Sequence, residues 1–288
     1  MRTNLKKIIW TFLAQLAVAL LPAFTAAQQG ESHVGQWTGH ANAGKQLYFR
    51  YCWGCHGFHG NGAGENAPYL NIQPRNFVAA KFKCRSTPSG TLPTDEDLAN
   101  AIDRGLVNSN MPSWSALTEQ QRADLVAFIK TFSSRWKEEK PGDPIAVPAE
   151  PAVNLESIQH GKELFTKMEC WKCHGAEGRG DGPAAATLTD SNRQPIRPYN
   201  FESGSRFKCG STNTDLFKIF MTGLDGTPMP SFADDLKPSE AWDLVHYVRT
   251  LQIHHKSPEL RLWESTEEGA EIVKATRAEG TPTGSGVD

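Results

Sequence analysis

The sequence predicts an all-α protein made of two tandem small helical bundles, and three observations carry that prediction. The stretches "YCWGCHGFHG" at 51–60 and "ECWKCHGAEG" at 169–178 repeat one motif. Their histidines, His56 and His174, are 118 residues apart, and so are Met111 and Met229, so each histidine precedes its methionine by 55 residues. The segments opening and closing each copy carry apolar residues at helical spacing, and no stretch shows convincing strand alternation.

At the amino end, Arg2, Lys6 and Lys7 come before any acidic residue and lead into "IIWTFLAQLAVALL" at 8–21, then Pro22 and "AFTAAQ". A positive start, a short apolar run and small residues are the pattern of an export signal, here spanning 1–27 with cleavage near Ala27. The alternative is an uncleaved anchor, for which the run is short. The mature protein is expected in the periplasm or otherwise exported, soluble or associated with the outer face of the inner membrane. The chain's 288 residues allow about two domains. Its formal net charge of −2, about −5 without the signal, argues against a nucleic-acid partner.

The first unit spans 42–136. It opens on "GKQLYFRYC" and closes on "LTEQQRADLVAFIKTF" at 117–132, where Leu125, Val126, Phe128, Ile129 and Phe132 form an apolar stripe. Thr118 with Gln121 predicts a capping box. The second unit spans 154–254, opening on "HGKELFTKMEC" and closing on "LKPSEAWDLVHYVRTL" at 236–251, with Leu244, Val245, Tyr247, Val248 and Leu251 as its stripe. A further short helix is expected from Thr94 to about Arg104, with a counterpart near 214–222. Between these anchors the register slips and recovers, as "RNFVAAKFKC" at 75–84 answers "YNFESGSRFKC" at 199–209. The linker 137–153 holds four prolines, which favour an extended, semi-rigid spacer. The charged tail 255–288 reads as flexible, with one stretch able to form a weakly amphipathic helix.

Cys-x-x-Cys-His is the pattern of covalent c-type haem attachment. Two intervening residues let both thiols add across the vinyl groups on one porphyrin edge, and the next residue falls under the iron. Cys52, Cys55, Cys170 and Cys173 are therefore assigned to thioethers with two haem c groups, and His56 and His174 to proximal ligation. A redox thiol pair would not need the histidine, and a structural zinc site would need further ligands at matching spacing. Met111 in "NMPSW" and Met229 in "PMPSF" are assigned as the sixth ligands. A thioether suits an iron that changes charge without changing ligands, and the following proline stiffens the loop.

With these motifs in place, each unit resembles a class I, mitochondrial-type cytochrome c domain. The resemblance covers roughly 42–134 and 155–253. The run "STPSGTLPTDEDL" followed by "MPSW" is further similar to dihaem cytochromes c that serve periplasmic respiratory enzymes and terminal oxidases. The resemblance implies a three-to-five-helix fold around a largely buried haem, one-electron transfer, and redox partner proteins such as a membrane respiratory complex or a periplasmic oxidoreductase. It also implies a proline carbonyl as acceptor for each proximal histidine, with Pro68 and Pro183 as candidates. Arg75 and Arg197 are read either as counter-charges for haem propionates or as solvated arginines. Trp53 and Trp171 are read as packing or surface residues.

Cys84 and Cys209 stand outside the motifs at matching places, "KFKC" and "RFKC". Three readings stay open: a disulfide cross-linking the units, suited to an oxidising compartment; buried inert thiols; or a functional thiolate. Function divides likewise. An electron carrier needs both irons saturated, whereas a dihaem oxidoreductase, thiosulfate dehydrogenase-like or peroxidase-like, needs one open or a working thiolate. Neither copy lacks its methionine, which favours the carrier.

Overall fold

The structure, a computed structural model, describes residues 31–203 and 206–252; the expected signal and tail lie outside the described residues. The described chain is mostly helical, but it opens with a hairpin that the sequence did not announce. Strand β1 (Glu31–Val34) pairs antiparallel with β2 (Trp37–His40), Ser32 facing Gly39. Four-residue strands are too short for a period-two signal, and tertiary bonds hold this pair in place. The His33 N–H donates to Asp95 Oδ2 at 2.9 Å, Trp37 Nε1–H to Glu119 Oε2 at 2.6 Å, and the His40 N–H to Asp124 Oδ1 at 2.8 Å.

Helices α1 (Ala41–Tyr51), α2 (Trp53–His56), α3 (Asp95–Arg104), α4 (Glu119–Lys130) and α5 (Arg135–Glu138) follow in the first unit. The expected capping box of Thr118 and Gln121 starts α4, and Thr94 with Asp97 forms another at α3. In the second unit the order repeats as α6 (Leu155–Lys167), α7 (Trp171–His174), α8 (Asn213–Thr222) and α9 (Pro238–Leu251). Asn154 with Ser157 and Thr212 with Asp215 box the starts of α6 and α8.

The opening and closing helices of each unit cross at backbone distance. A Cβ on Gly44 of α1 would lie 1.8 Å from the Asp124 carbonyl oxygen of α4, and one on Gly161 of α6 would lie 2.0 Å from that of Asp243 on α9. Glycine is what lets the helices meet there. Each crossing covers its own core. Tyr48, Leu92, Leu98, Leu125 and Val126 are buried in the first, and Ile158, Leu164, Phe217, Trp242 and Val245 in the second.

The second opening helix carries one residue more between its glycine and its first cysteine. Glu169 absorbs it at φ +58°, in the left-handed region, so the Cys170 N–H reaches Phe165 O at 3.0 Å where Cys52 N–H reaches Tyr48 O at 2.8 Å.

A disulfide between Cys84 and Cys209 joins the units and settles the three readings of that pair. Around it, Arg85 is buried: it donates to Phe82 O at 3.0 Å and to Thr222 O, and pairs with Asp225 Oδ1 at 2.8 Å. The seven-residue surplus of the first unit between its cysteine and α3 supplies Ser89 Oγ and the Gly90 N–H, both of which also donate to Asp225, at 2.8 and 2.9 Å. The linker is extended, as its prolines predict, but docked along its length. The Gly142 N–H bonds Leu92 O at 3.1 Å, the Ile145 N–H bonds Ser86 O at 2.8 Å, and Glu150 Oε1 accepts from Asn213 Nδ2 at 2.5 Å. Among the described residues no helix is long and apolar enough to cross a membrane.

Candidate functional site

The two motif helices, α2 and α7, are single turns closed by Cys52 O accepting from the His56 N–H at 2.9 Å and Cys170 O from the His174 N–H at 2.8 Å. Each turn puts two thiols and one imidazole on a short arc. All four cysteines are free and half-buried. Before haem is attached, burial pushes the Cys52 and Cys170 thiols up to about 12. After each histidine the chain turns through a glycine in the left-handed region, Gly57 at φ +84° and Gly175 at φ +80°. It returns so that Gly62 N–H bonds His56 O at 2.8 Å and Gly180 N–H bonds His174 O at 2.7 Å.

Both imidazoles are oriented in one way. His56 Nδ1 lies 3.0 Å from Arg75 O, and His174 Nδ1 lies 3.0 Å from Tyr199 O. A carbonyl can only accept, so Nδ1 carries the proton and Nε2 is the nitrogen left to ligate iron. Phe77 stacks on His56 at 4.5 Å and Phe201 on His174 at 4.7 Å, fixing the ring planes. Burial lowers both histidines' pKa values and keeps them neutral.

These acceptors correct the expectation of Pro68 and Pro183. The carbonyls belong instead to the residues after Pro74 and Pro198, 19 and 25 positions beyond their histidines. The reason is the Gly-rich return loop, which brings the whole Pro-x-Asn-Phe segment against the ring. That shared pattern, "PRNF" and "PYNF", was the signal that would have found them.

Met111 and Met229 sit half-buried in loops that match bond for bond. The Leu106 N–H donates to Met111 O at 3.0 Å and the Leu224 N–H to Met229 O at 3.1 Å. Ser109 Oγ and Thr227 Oγ1 each accept from the following methionine N–H at 3.2 Å. The chain then rejoins its helix, as Trp114 N–H bonds Ile102 O at 3.1 Å and Phe232 N–H bonds Phe220 O at 2.9 Å. Of the weaker expectations, Trp53 packs at the first core, Trp171 is more exposed, and Arg197 is at the surface while Arg75 points between the units. A polar contact beside the first motif has no counterpart in the second: Tyr48 donates to Gly57 O at 2.7 Å, and Phe165, at the matching place, has no hydroxyl to do so.

The donor set suits haem c rather than zinc. Among the described residues no three His, Cys, Asp or Glu side chains converge as a closed metal site would require. Each motif offers two free thiols beside one imidazole whose Nε2 is available, which is the set that covalent haem needs.

The Cytochrome c family model matches residues 41–133 and 158–252, both repeats. The chain belongs to the cytochrome c family. As a tandem cytochrome c it carries two covalently bound haem c groups, one per repeat. It is 24% identical over 200 residues to the Cbb3-type cytochrome c oxidase subunit CcoP of Helicobacter pylori, a match covering 68% of this chain. The match spans 59% of that relative's length. Among solved structures it is similar to a chain of the Kuenenia stuttgartiensis reducing HAO-like protein complex Kustc0457/Kustc0458, with 45% identity and a TM-score of 0.72, covering 74% of this chain and 96% of that one.

Proposed function

We propose that this dihaem cytochrome c passes single electrons between redox partner proteins, as a subunit or close partner of a larger oxidoreductase complex outside the cytoplasm. The observation that carries this reading is the duplication of the site. Both units hold a carbonyl-tethered histidine and a methionine loop with the same backbone bonds. In this reading Cys52, Cys55, Cys170 and Cys173 would hold the haems, and His56 with Met111 and His174 with Met229 would ligate the irons. Irons ligated in this way would leave no position for a substrate. The haem supplies the one-electron iron couple; the chain's residues hold its ligands in place so that little moves when the charge changes.

Export is supported by the Cys84–Cys209 disulfide, a bond that persists in oxidising compartments, and by the signal pattern over 1–27. A partner complex is supported by the relatives, one named as an oxidase subunit and one solved within a multi-protein complex. The modules of the relay are then the units 42–136 and 154–254.

The test is spectroscopic. The oxidised holoprotein should show methionine-to-iron charge-transfer absorption from two haems, and the reduced protein should bind carbon monoxide poorly. Met111→Ala and Met229→Ala should each remove about half of that absorption and open one haem to carbon monoxide. Rapid carbon monoxide binding by the unaltered protein would replace the relay with an enzyme.

A further inference from the structure

Lys83 and Lys208 each stand immediately before a cysteine of the interdomain disulfide, whose Cα atoms are 5.1 Å apart. The bond thus gathers two ammonium-bearing side chains from different units. Arg75 joins them, reaching from the first unit into the second: its Nη1 lies 3.5 Å from where a Cβ on Gly226 would stand. Lys83 feels both of the other cations, and Lys208 feels Arg75. Burial, then Arg75, then Lys208 push Lys83 down to about 8, and burial with Arg75 pushes Lys208 down as well. Asp190 opposes this at Arg75 and Lys83. Among the described residues neither lysine is hydrogen-bonded or ion-paired. Like charges gathered in a half-buried place are costly unless an anion answers them.

The cluster also lies beside both haem sites. Arg75 is the residue whose carbonyl holds His56 at 3.0 Å. Lys83 follows Phe82, which stacks at 6.4 Å on Phe77, the ring lying on His56. Lys208 follows Phe207, which packs at 6.2 Å on Phe201, the ring lying on His174. Two stacked or packed rings thus link each lysine's neighbour to a proximal histidine, and each haem c carries two carboxylates that would need counter-charge.

We propose that Arg75, Lys83 and Lys208 form one anion site between the units that takes haem propionate carboxylates from both repeats, so that each haem's potential depends on a lysine of the other unit. The inference rests on the haem assignment alone. It stands whether or not the chain relays electrons, because potentials are read without a partner.

The experiment is a spectroelectrochemical titration of the holoprotein in a Met229→His background. Histidine in place of a methionine ligand lowers the second haem's potential and separates the two. Reduction adds negative charge at iron, so a nearby cation favours the reduced form and its loss lowers the potential. Lys83→Gln and Lys208→Gln should each weaken reduction of both haems, by about threefold in the equilibrium constant at an effective dielectric intermediate between protein and water. Lys83→Arg and Lys208→Arg should restore both, and exposed Lys140→Gln should move neither. Should a glutamine variant fail to fold, methionine, of similar length and uncharged, reads the same quantity. A variant that shifts the haem of its own unit alone, or neither haem, overturns the shared site.

Discussion

Cys84 and Cys209, 125 residues apart in the chain, are bonded across the boundary between two units that each have their own core. Since each core is closed without the other, the bond's effect falls on how the units are held together. Thiol titration of the denatured, unreduced holoprotein should therefore find no reactive thiol, the other four cysteines being thioethers. Cleavage in the linker after Glu150 should leave one covalent particle, which separates when reductant is added. Two titratable thiols would refute the bond.

Arg85 shares that boundary. Its guanidinium is fully buried between the units, serving Phe82 O, Thr222 O and the Asp225 carboxylate. Arg85→Ala would strip Phe82 O and Thr222 O of this donor and leave Asp225 with only Ser89 Oγ and the Gly90 N–H, at a cost of roughly 3 kcal/mol. Arg85→Lys should recover little of it, because a single ammonium cannot reproduce a fork bonded on several sides. Denaturant unfolding of the holoprotein with the disulfide intact should show both losses. A neutral Arg85→Ala would mean that the units are docked by other contacts.

Legibility followed how local each signal was. The repeat, the capped helices and the motif residues are written in short stretches, and the closing stripes fell where the periodicity put them, with Leu125, Val126, Leu244 and Val245 buried. The carbonyl acceptors Arg75 and Tyr199 were not legible as such, because their approach to His56 and His174 depends on loops of unequal length. The β1–β2 hairpin escaped because its stability comes from Asp95, Glu119 and Asp124, far along the chain. Arg85 looked like one more loop arginine. Its burial depends on a segment that the second copy lacks.

The glycine crossings give a steric prediction. Gly44→Ala places a carbon 1.8 Å from Asp124 O, and Gly161→Ala places one 2.0 Å from Asp243 O, in both cases against helix backbone that cannot swing aside. The helices must separate, and each variant should lose roughly 1–3 kcal/mol or more in its own unit. Alanine's better helix propensity returns at most about 1 kcal/mol. Urea unfolding followed at each haem separately should show the loss confined to the altered unit. Equal loss in both units would show that the crossings are coupled.

His246 supplies the pH prediction. Its side chain is fully buried on α9, with Nδ1 2.9 Å from Ser157 Oγ of α6 and Nε2 3.4 Å from Glu150 Oε1 of the linker. Burial lowers its pKa below the ordinary 6.5, and the opposing fields of Glu150 and of Asp243 on the same helix do not outweigh that. The folded state therefore favours the neutral ring, while the unfolded chain takes up a proton near its ordinary value. Stability contributed by the neutral ring is present above pH 6.5 and is lost as pH falls toward the lower folded value. The slope is about 1.4 kcal/mol per pH unit while only the unfolded state is protonated. His246→Gln removes this titration, so the unfolding midpoint of the second unit should flatten between pH 7 and pH 5 relative to the unaltered protein. An unchanged acid slope in that variant would assign the sensitivity to other groups.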